Sequence, residues 1–184
     1  MVDSLIKVLE AFRPQVPGVD RAGKELARCL MNGGKILACG NGGSASDSMH
    51  LCEELTGRYR ETRPPLPAVS LNADGTALTC IANDFGFEEV FARQVQALGS
   101  DKDALVVFST SGCSANVIRA LEVAKEKHLL RIVLSGKGGG PATELADEAI
   151  VVPATDSGRI QEVHTLILHS WLEIIEREIF GISI

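Results

Sequence analysis

Apolar residues along this chain fall into two alternating rhythms. Four compact runs, at 35–39 (KILAC), 104–109 (ALVVFS), 131–135 (RIVLS) and 149–152 (AIVV), are nearly continuous in Ala, Leu, Ile and Val. Runs of that length read as strands buried on both faces. A shorter strand is expected at 68–71 (AVSL). The intervening stretches have helical spacing, clearest at 116–127 (NVIRALEVAKEK), and a last long helix is expected over 159–180, closed by Gly181. Segment 1–32 reads as two helices with a break where Pro14, Pro17 and Gly18 cluster.

Strands alternating with helices imply right-handed crossovers and a parallel sheet flanked by helices on both faces. The fold class is therefore α/β, in one domain spanning 1–184, with N-terminal helices. Such sheets take ligands beyond the carboxyl ends of their strands, where the Gly- and Ser-rich loops of this sequence fall. A chain of 184 residues with 45% hydrophobic content suits a single core. With aromatics at 4%, aliphatic side chains must fill it. A net charge of −6 argues against a nucleic-acid partner and leaves an anionic substrate to local dipoles. The N-terminal MVDSLIKVLEAF is amphipathic, so neither a leader peptide nor a membrane span is expected. The five cysteines are scattered, odd in number and without a CxxC pair, which points to a reducing cytoplasmic setting without disulfides. Leu5, Val8, Leu9 and Phe12 form an apolar face that a sheet covered on both sides does not need, so an oligomer is expected.

Three segments carry candidate chemistry. Residues 109–116 (STSGCSAN) join a strand to a helix and supply four hydroxyls, from Ser109, Thr110, Ser111 and Ser114. Hydroxyls beside a helix N-terminus can hold a phosphate monoester without lysine. The plain alternative is that Ser114 simply caps the helix. No GxxxxGK[ST] string is present, and GNGG at 40–43 does not complete GxGxxG, so no nucleotide loop is expected. In the helix over 44–55, His50 and Glu54 lie about 40° apart and one turn along. They could share a metal, act as an acid–base pair, or make an ordinary surface contact. Glu53 reaches His50 equally well at i,i+3 spacing. In the last helix Gln161 is nearer His164 (about 60° away) than His169 (about 80° away and ~12 Å along the axis). Either histidine could instead be a core or interface residue.

Taken together, the strings GNGGSASDSMHLCEELTGRY, NDFGFEEVF (83–91), STSGCSANVIRA and RIQEVHTLILH resemble the phosphoheptose isomerases of the wider SIS family, across nearly the whole chain. HxxxE after GNGGS combined with RIQExH is the most specific part. The resemblance implies a single SIS domain whose segment 1–32 serves oligomerisation. It implies an aldose–ketose isomerase that converts sedoheptulose 7-phosphate to D-glycero-D-manno-heptose 7-phosphate, the entry to nucleotide-activated heptose and lipopolysaccharide precursors. It also implies a cytoplasmic homotetramer with interfacial sites and one zinc per subunit.

Carried onto this sequence, the resemblance makes His50, Glu54, Gln161 and His169 the metal ligands. Substrate contacts would come from Asn41, Gly42, Gly43, Glu54, Asn83, Asp84, Ser109, Thr110, Ser111, Ser114 and Gln161. Glu54 and His169 would be the catalytic base and its partner. Two positions depart from the pattern. Cys113 stands where STSGNS has Asn, and Gly158 stands where many members have an acidic residue before RIQE, with Asp156 two positions earlier. The rival reading is a non-catalytic SIS tetramer that binds the replication initiator DnaA. A sugar-phosphate-sensing regulatory module is a further rival, but the chain has no basic DNA-binding helix. Retention of His50, Glu54, Gln161 and His169 favours the enzyme.

Overall fold

The computed structural model describes residues 1–182. Its elements are α1 (Val2–Phe12), α2 (Val16–Met31), β1 (Ile36–Gly40), α3 (Gly43–Thr56), β2 (Ala68–Ser70), α4 (Gly75–Phe85), α5 (Ala92–Leu98), β3 (Ala104–Ser109), α6 (Ala115–Glu126), β4 (Leu130–Ser135), β5 (Glu148–Val151) and α7 (Ser157–Phe180). All strand pairs are parallel, in the order β2-β1-β3-β4-β5. Each apolar run thus became a strand, within a residue of its expected bounds.

The runs are continuous because both faces are covered. Along β1, Ile36 and Ala38 enter one core cluster while Leu37 and Cys39 enter the other. In β3, Ala104, Val106 and Phe108 face the first cluster, and Leu105 and Val107 the second. The first cluster takes in α2, α3 and α7, and the second α5 and α6. Alternation with period two is therefore intact, with no polar side to reveal it.

Two N-terminal expectations need correction. The break lies in a short 3₁₀ turn at Arg13–Gln15, whereas Pro17 and Gly18 belong to the first turn of α2. Proline lacks only an N–H that the first helical turn leaves unpaired anyway. The apolar face of α1 is also not spare. Phe12 is buried and Leu5, Val8 and Leu9 pack on the chain's own core. The large apolar residues of this segment left in water are Met1, Val2, Ile6, Val16 and Met31.

The strand order sets the position of the site. After β1 the chain moves outward to β2, then returns across β1 to β3. The loops following β1 and β3 consequently diverge at a switch point, where such sheets open a crevice.

Candidate active site

The crevice between these loops is a cavity of about 70 Å³ lined by Asn41, Ser44, Phe108, Ser109, Thr110, Ser111, Ser114 and Gln161. All four hydroxyls expected to meet a phosphate border it. Ser114 is the N-cap residue of α6, yet its hydroxyl makes no capping hydrogen bond. Gly42 precedes α3 likewise without a side-chain cap. Two helix N-termini, neither capped by a side chain, thus bring positive dipole ends to the cavity, as an anion requires.

The loop is held by its own backbone. The Gly112 N–H donates to Ser109 Oγ (3.1 Å), and the Cys113 N–H donates to Ser111 Oγ (3.2 Å). Gly112 has φ +62°, and a Cβ there would run into the Gly139 carbonyl. Cys113 is exposed and points its thiol at the Ser111 carbonyl, so it takes no part in lining the cavity. Asn41 and Asn116 exchange amide hydrogen bonds of 2.9 Å in both directions, tying the β1 loop to the start of α6. Asn72 grips Gly40, accepting from its N–H (3.1 Å) and donating to its carbonyl (2.9 Å).

Beyond the cavity, α3 and α7 run side by side in the same direction. At their N-terminal ends Gln161 lies against Gly43, where an added Cβ would come within 2.6 Å of the Gln161 amide nitrogen. One turn on, Thr165 Oγ1 donates to Asp47 Oδ1 (3.1 Å). Further along, the rings of His50 and His169 meet edge to face at 5.0 Å. Tyr59 stacks on His169, with centroids 5.5 Å apart.

His50 Nε2 stands 3.5 Å from Glu54 Oε1. Burial and the neighbouring His50 lower the pKa of His169, against the opposing pull of Glu54 and Glu173. The ring therefore stays neutral at pH 7 and can donate at one nitrogen while accepting at the other. One ligand atom each from His50, Glu53 and Glu54 lie within 4.8 Å of one another. Around a tetrahedral zinc with bonds of ~2.0–2.1 Å, ligand atoms are roughly 3.4 Å apart. The His50–Glu54 pair already has that spacing, and its N/O donor set suits zinc.

Of the four residues expected as ligands, His50 and Glu54 pair and the His169 ring lies against His50, but the ligand atoms close enough to share an ion are those of His50, Glu53 and Glu54, without His169. Gln161 does not join them within one chain, being two turns, ~12 Å, before His169 and on the cavity. His164, the nearer partner of Gln161 by local spacing, is fully buried among core residues with its Nε2 3.3 Å from the Ser135 carbonyl. Burial drives its pKa down to about 4. Asn83 and Asp84 are exposed on α4, bonded to each other (2.7 Å) and outside the cavity lining. Asp156 caps α7 by accepting from the Arg159 N–H (2.9 Å), so it does not replace the acidic residue missing at Gly158. A larger cavity of about 760 Å³, lined by Leu9, Phe12, Val16, Leu166 and Ile174 among others, contains none of the expected site residues.

The sequence alone assigns no role to Asp47, Tyr59, Asn72 or Asn116. Only tertiary partners give them meaning, and no local spacing announces those partners.

Comparison with known proteins identifies the family and its fold. The SIS domain family matches residues 2–136. The phosphoheptose isomerase of Helicobacter pylori is 50% identical, over 96% of this chain and 97% of that protein. Phosphoheptose isomerase 1 of Campylobacter jejuni is 49% identical, over 92% of this chain and 91% of that protein. The solved structure of the Neisseria gonorrhoeae phosphoheptose isomerase superposes with a TM-score of 0.90 at 42% identity, over 95% of this chain and 94% of that one.

Proposed function

This chain belongs to the phosphoheptose isomerases of the SIS-domain family, and we propose that it interconverts sedoheptulose 7-phosphate and D-glycero-D-manno-heptose 7-phosphate through an enediol. One observation carries the reading. The hydroxyl-lined cavity lies at the start of α3 and the His50–Glu54–His169 cluster about seven residues further along it, or ~10 Å away. Eight bonds link C1 of an open heptose chain to a phosphorus on O7. Three backbone bonds span about 3.3–3.6 Å, so eight reach roughly 9–10 Å. A phosphate in the cavity therefore delivers C1 and C2 to the cluster.

In this reading the phosphate accepts from the Ser109, Thr110, Ser111 and Ser114 hydroxyls and the N–H groups opening α6. Those contacts fix the far end and supply orientation for the reacting end. Glu54 removes the proton from C1 of the ketose, and the electron pair forms the enediol. Neutral His169 moves a proton between O1 and O2, donating from one nitrogen as it accepts at the other. The proton returned to C2 gives the aldose. Gln161, against Gly43, hydrogen-bonds the sugar hydroxyls between the two ends.

His50, Glu54 and His169 would hold one zinc in the resting site, with Glu54 and His169 acting on substrate only once released from it, and Gln161 would reach it only through a change of side-chain position. When bound, the ion would supply Lewis-acid polarisation of the substrate oxygens. Asn83 and Asp84 contact substrate only if another copy of the chain presents them, which supports a site shared between subunits of a homotetramer. Val2, Ile6, Val16, Phe85 and Phe87 are large apolar residues left exposed on one chain, which favours the same assembly. Five free thiols and the absence, among the described residues, of any helix long and apolar enough to cross a membrane support a cytoplasmic setting.

The test is turnover of sedoheptulose 7-phosphate by the purified chain, before and after a chelator and after zinc is restored. Loss with the chelator and recovery with zinc supports the metal-assisted form. Turnover indifferent to the chelator leaves the isomerase and removes the zinc.

A further inference from the structure

Asp47 is a carboxylate inside the protein, 7% exposed. Its Oδ1 accepts one hydrogen bond, from Thr165 Oγ1 at 3.1 Å. Its Oδ2 is buried and has no partner. A charge so placed costs stability compared with an apolar residue of similar size, because one neutral donor does not replace its hydration. Packing alone therefore gives no reason for an aspartate here.

Its location supplies one. Asp47 is three residues before His50 on α3, and Thr165 lies four residues from both Gln161 and His169 on α7. The Asp47–Thr165 bond is the middle rung of the ladder whose outer rungs are Gly43–Gln161 and His50–His169. Apolar contacts tolerate sliding, whereas a charge-assisted hydrogen bond holds only at one helix register. Thr165 Oγ1 also lies 3.1 Å from the Gln161 carbonyl. Its single proton goes to the carboxylate, the stronger acceptor.

We propose that Asp47 and Thr165 are positioning residues, forming a clamp that fixes α7 against α3 so that His169 meets His50 and Glu54. The clamp touches neither substrate nor metal. It works by holding the acid–base cluster at a set distance from the phosphate cavity. The inference rests on the site reading above.

The test uses the full-length protein and the variants Thr165→Val, Thr165→Ser, Asp47→Ala and the Asp47→Ala/Thr165→Val pair. Three quantities are read on each: kcat and KM for sedoheptulose 7-phosphate, zinc affinity by competition with a chromophoric chelator, and Tm. Thr165→Val is expected to lower kcat and zinc affinity about ten- to a hundredfold, the usual effect of losing such a support. KM should stay within about threefold, because the phosphate contacts are untouched. Thr165→Ser, which keeps the hydroxyl, should recover most of the loss. The double variant should be no worse than the poorer single one. Thr165→Val with unchanged kcat and zinc affinity overturns the clamp, and so do losses that simply follow Tm across all four variants. His169→Ala, run alongside, separates the two readings. If its kcat stays close to that of the wild type, the site assignment is wrong. If it loses about 10²–10⁴ in kcat while Thr165→Val is fully active, only the clamp is wrong.

Discussion

His169 meets His50 edge to face at 5.0 Å from a different helix, while His164, on the same helix as His169, turns into the core. This contrast predicts opposite behaviour on truncation. His169→Ala should cost about 10²–10⁴ in kcat, the range for losing a general acid–base group, with little change in Tm. His164→Ala should keep measurable turnover and lose about 2 kcal/mol or more of stability by leaving a buried cavity. Steady-state kinetics paired with thermal melts on both variants distinguishes them, and equal activity losses would count against the assignment.

His164 also gives the stability a pH dependence. Burial holds its folded pKa at about 4, below the ordinary 6.5 of an unfolded chain. Between those values the unfolded state binds the proton that the folded state refuses, so stability falls as pH drops. The effect is absent above pH ~6.5 and complete near pH 4, amounting to about 3 kcal/mol. Urea titrations across that window should show His164→Gln losing much of the slope. An unchanged slope would place its origin in other groups.

The phosphate end should govern binding more than chemistry. Removing a hydrogen bond to a charged group costs about 1.5–3 kcal/mol. Ser111→Ala and Ser114→Ala should each raise KM about ten- to a hundredfold with kcat nearly unchanged. Gly112→Ala, forced into φ +62° against the Gly139 carbonyl, should raise KM and lower Tm together. A serine variant that loses kcat alone contradicts the division of labour.

Arg63 and Glu176 form a buried ion pair at 3.0 Å, and Arg63 Nη2 also donates to the Glu54 carbonyl at 2.8 Å. Breaking a buried pair leaves a stranded charge and costs about 3–5 kcal/mol. Glu176→Ala should therefore lower Tm by roughly 10 °C, given ~2–4 °C per kcal/mol at this size. Because Arg63 supports the last turn of α3, kcat should fall as well. Calorimetry that finds Tm unmoved would deny the pair any structural weight.

The sheet was legible in the sequence because strands covered on both faces leave unbroken apolar runs, as at Ala104–Ser109. The phosphate loop was legible because Ser, Thr and Gly chemistry is concentrated between a strand and a helix. Residues 13–18 were harder, since a proline can end one helix or open the next and only the chain path decides. The apolar side of α1 was visible, but whether it met this chain or another was not. Local helical spacing favoured His164 over His169. The parallel course of α3 beside α7 reverses that preference, and it depends on contacts such as Gly43–Gln161 between residues far apart in sequence. Asp47 and Tyr59 were missed for the same reason.

The most direct test is conversion of sedoheptulose 7-phosphate to the aldose heptose 7-phosphate, followed by proton NMR, using zinc-loaded wild type, Glu54→Gln and His169→Ala at equal concentration. The account predicts conversion to equilibrium by the wild type, and product from the two variants only after about 10²–10⁴ times longer. A wild type that leaves the ketose unchanged, or variants that match its rate, would contradict it.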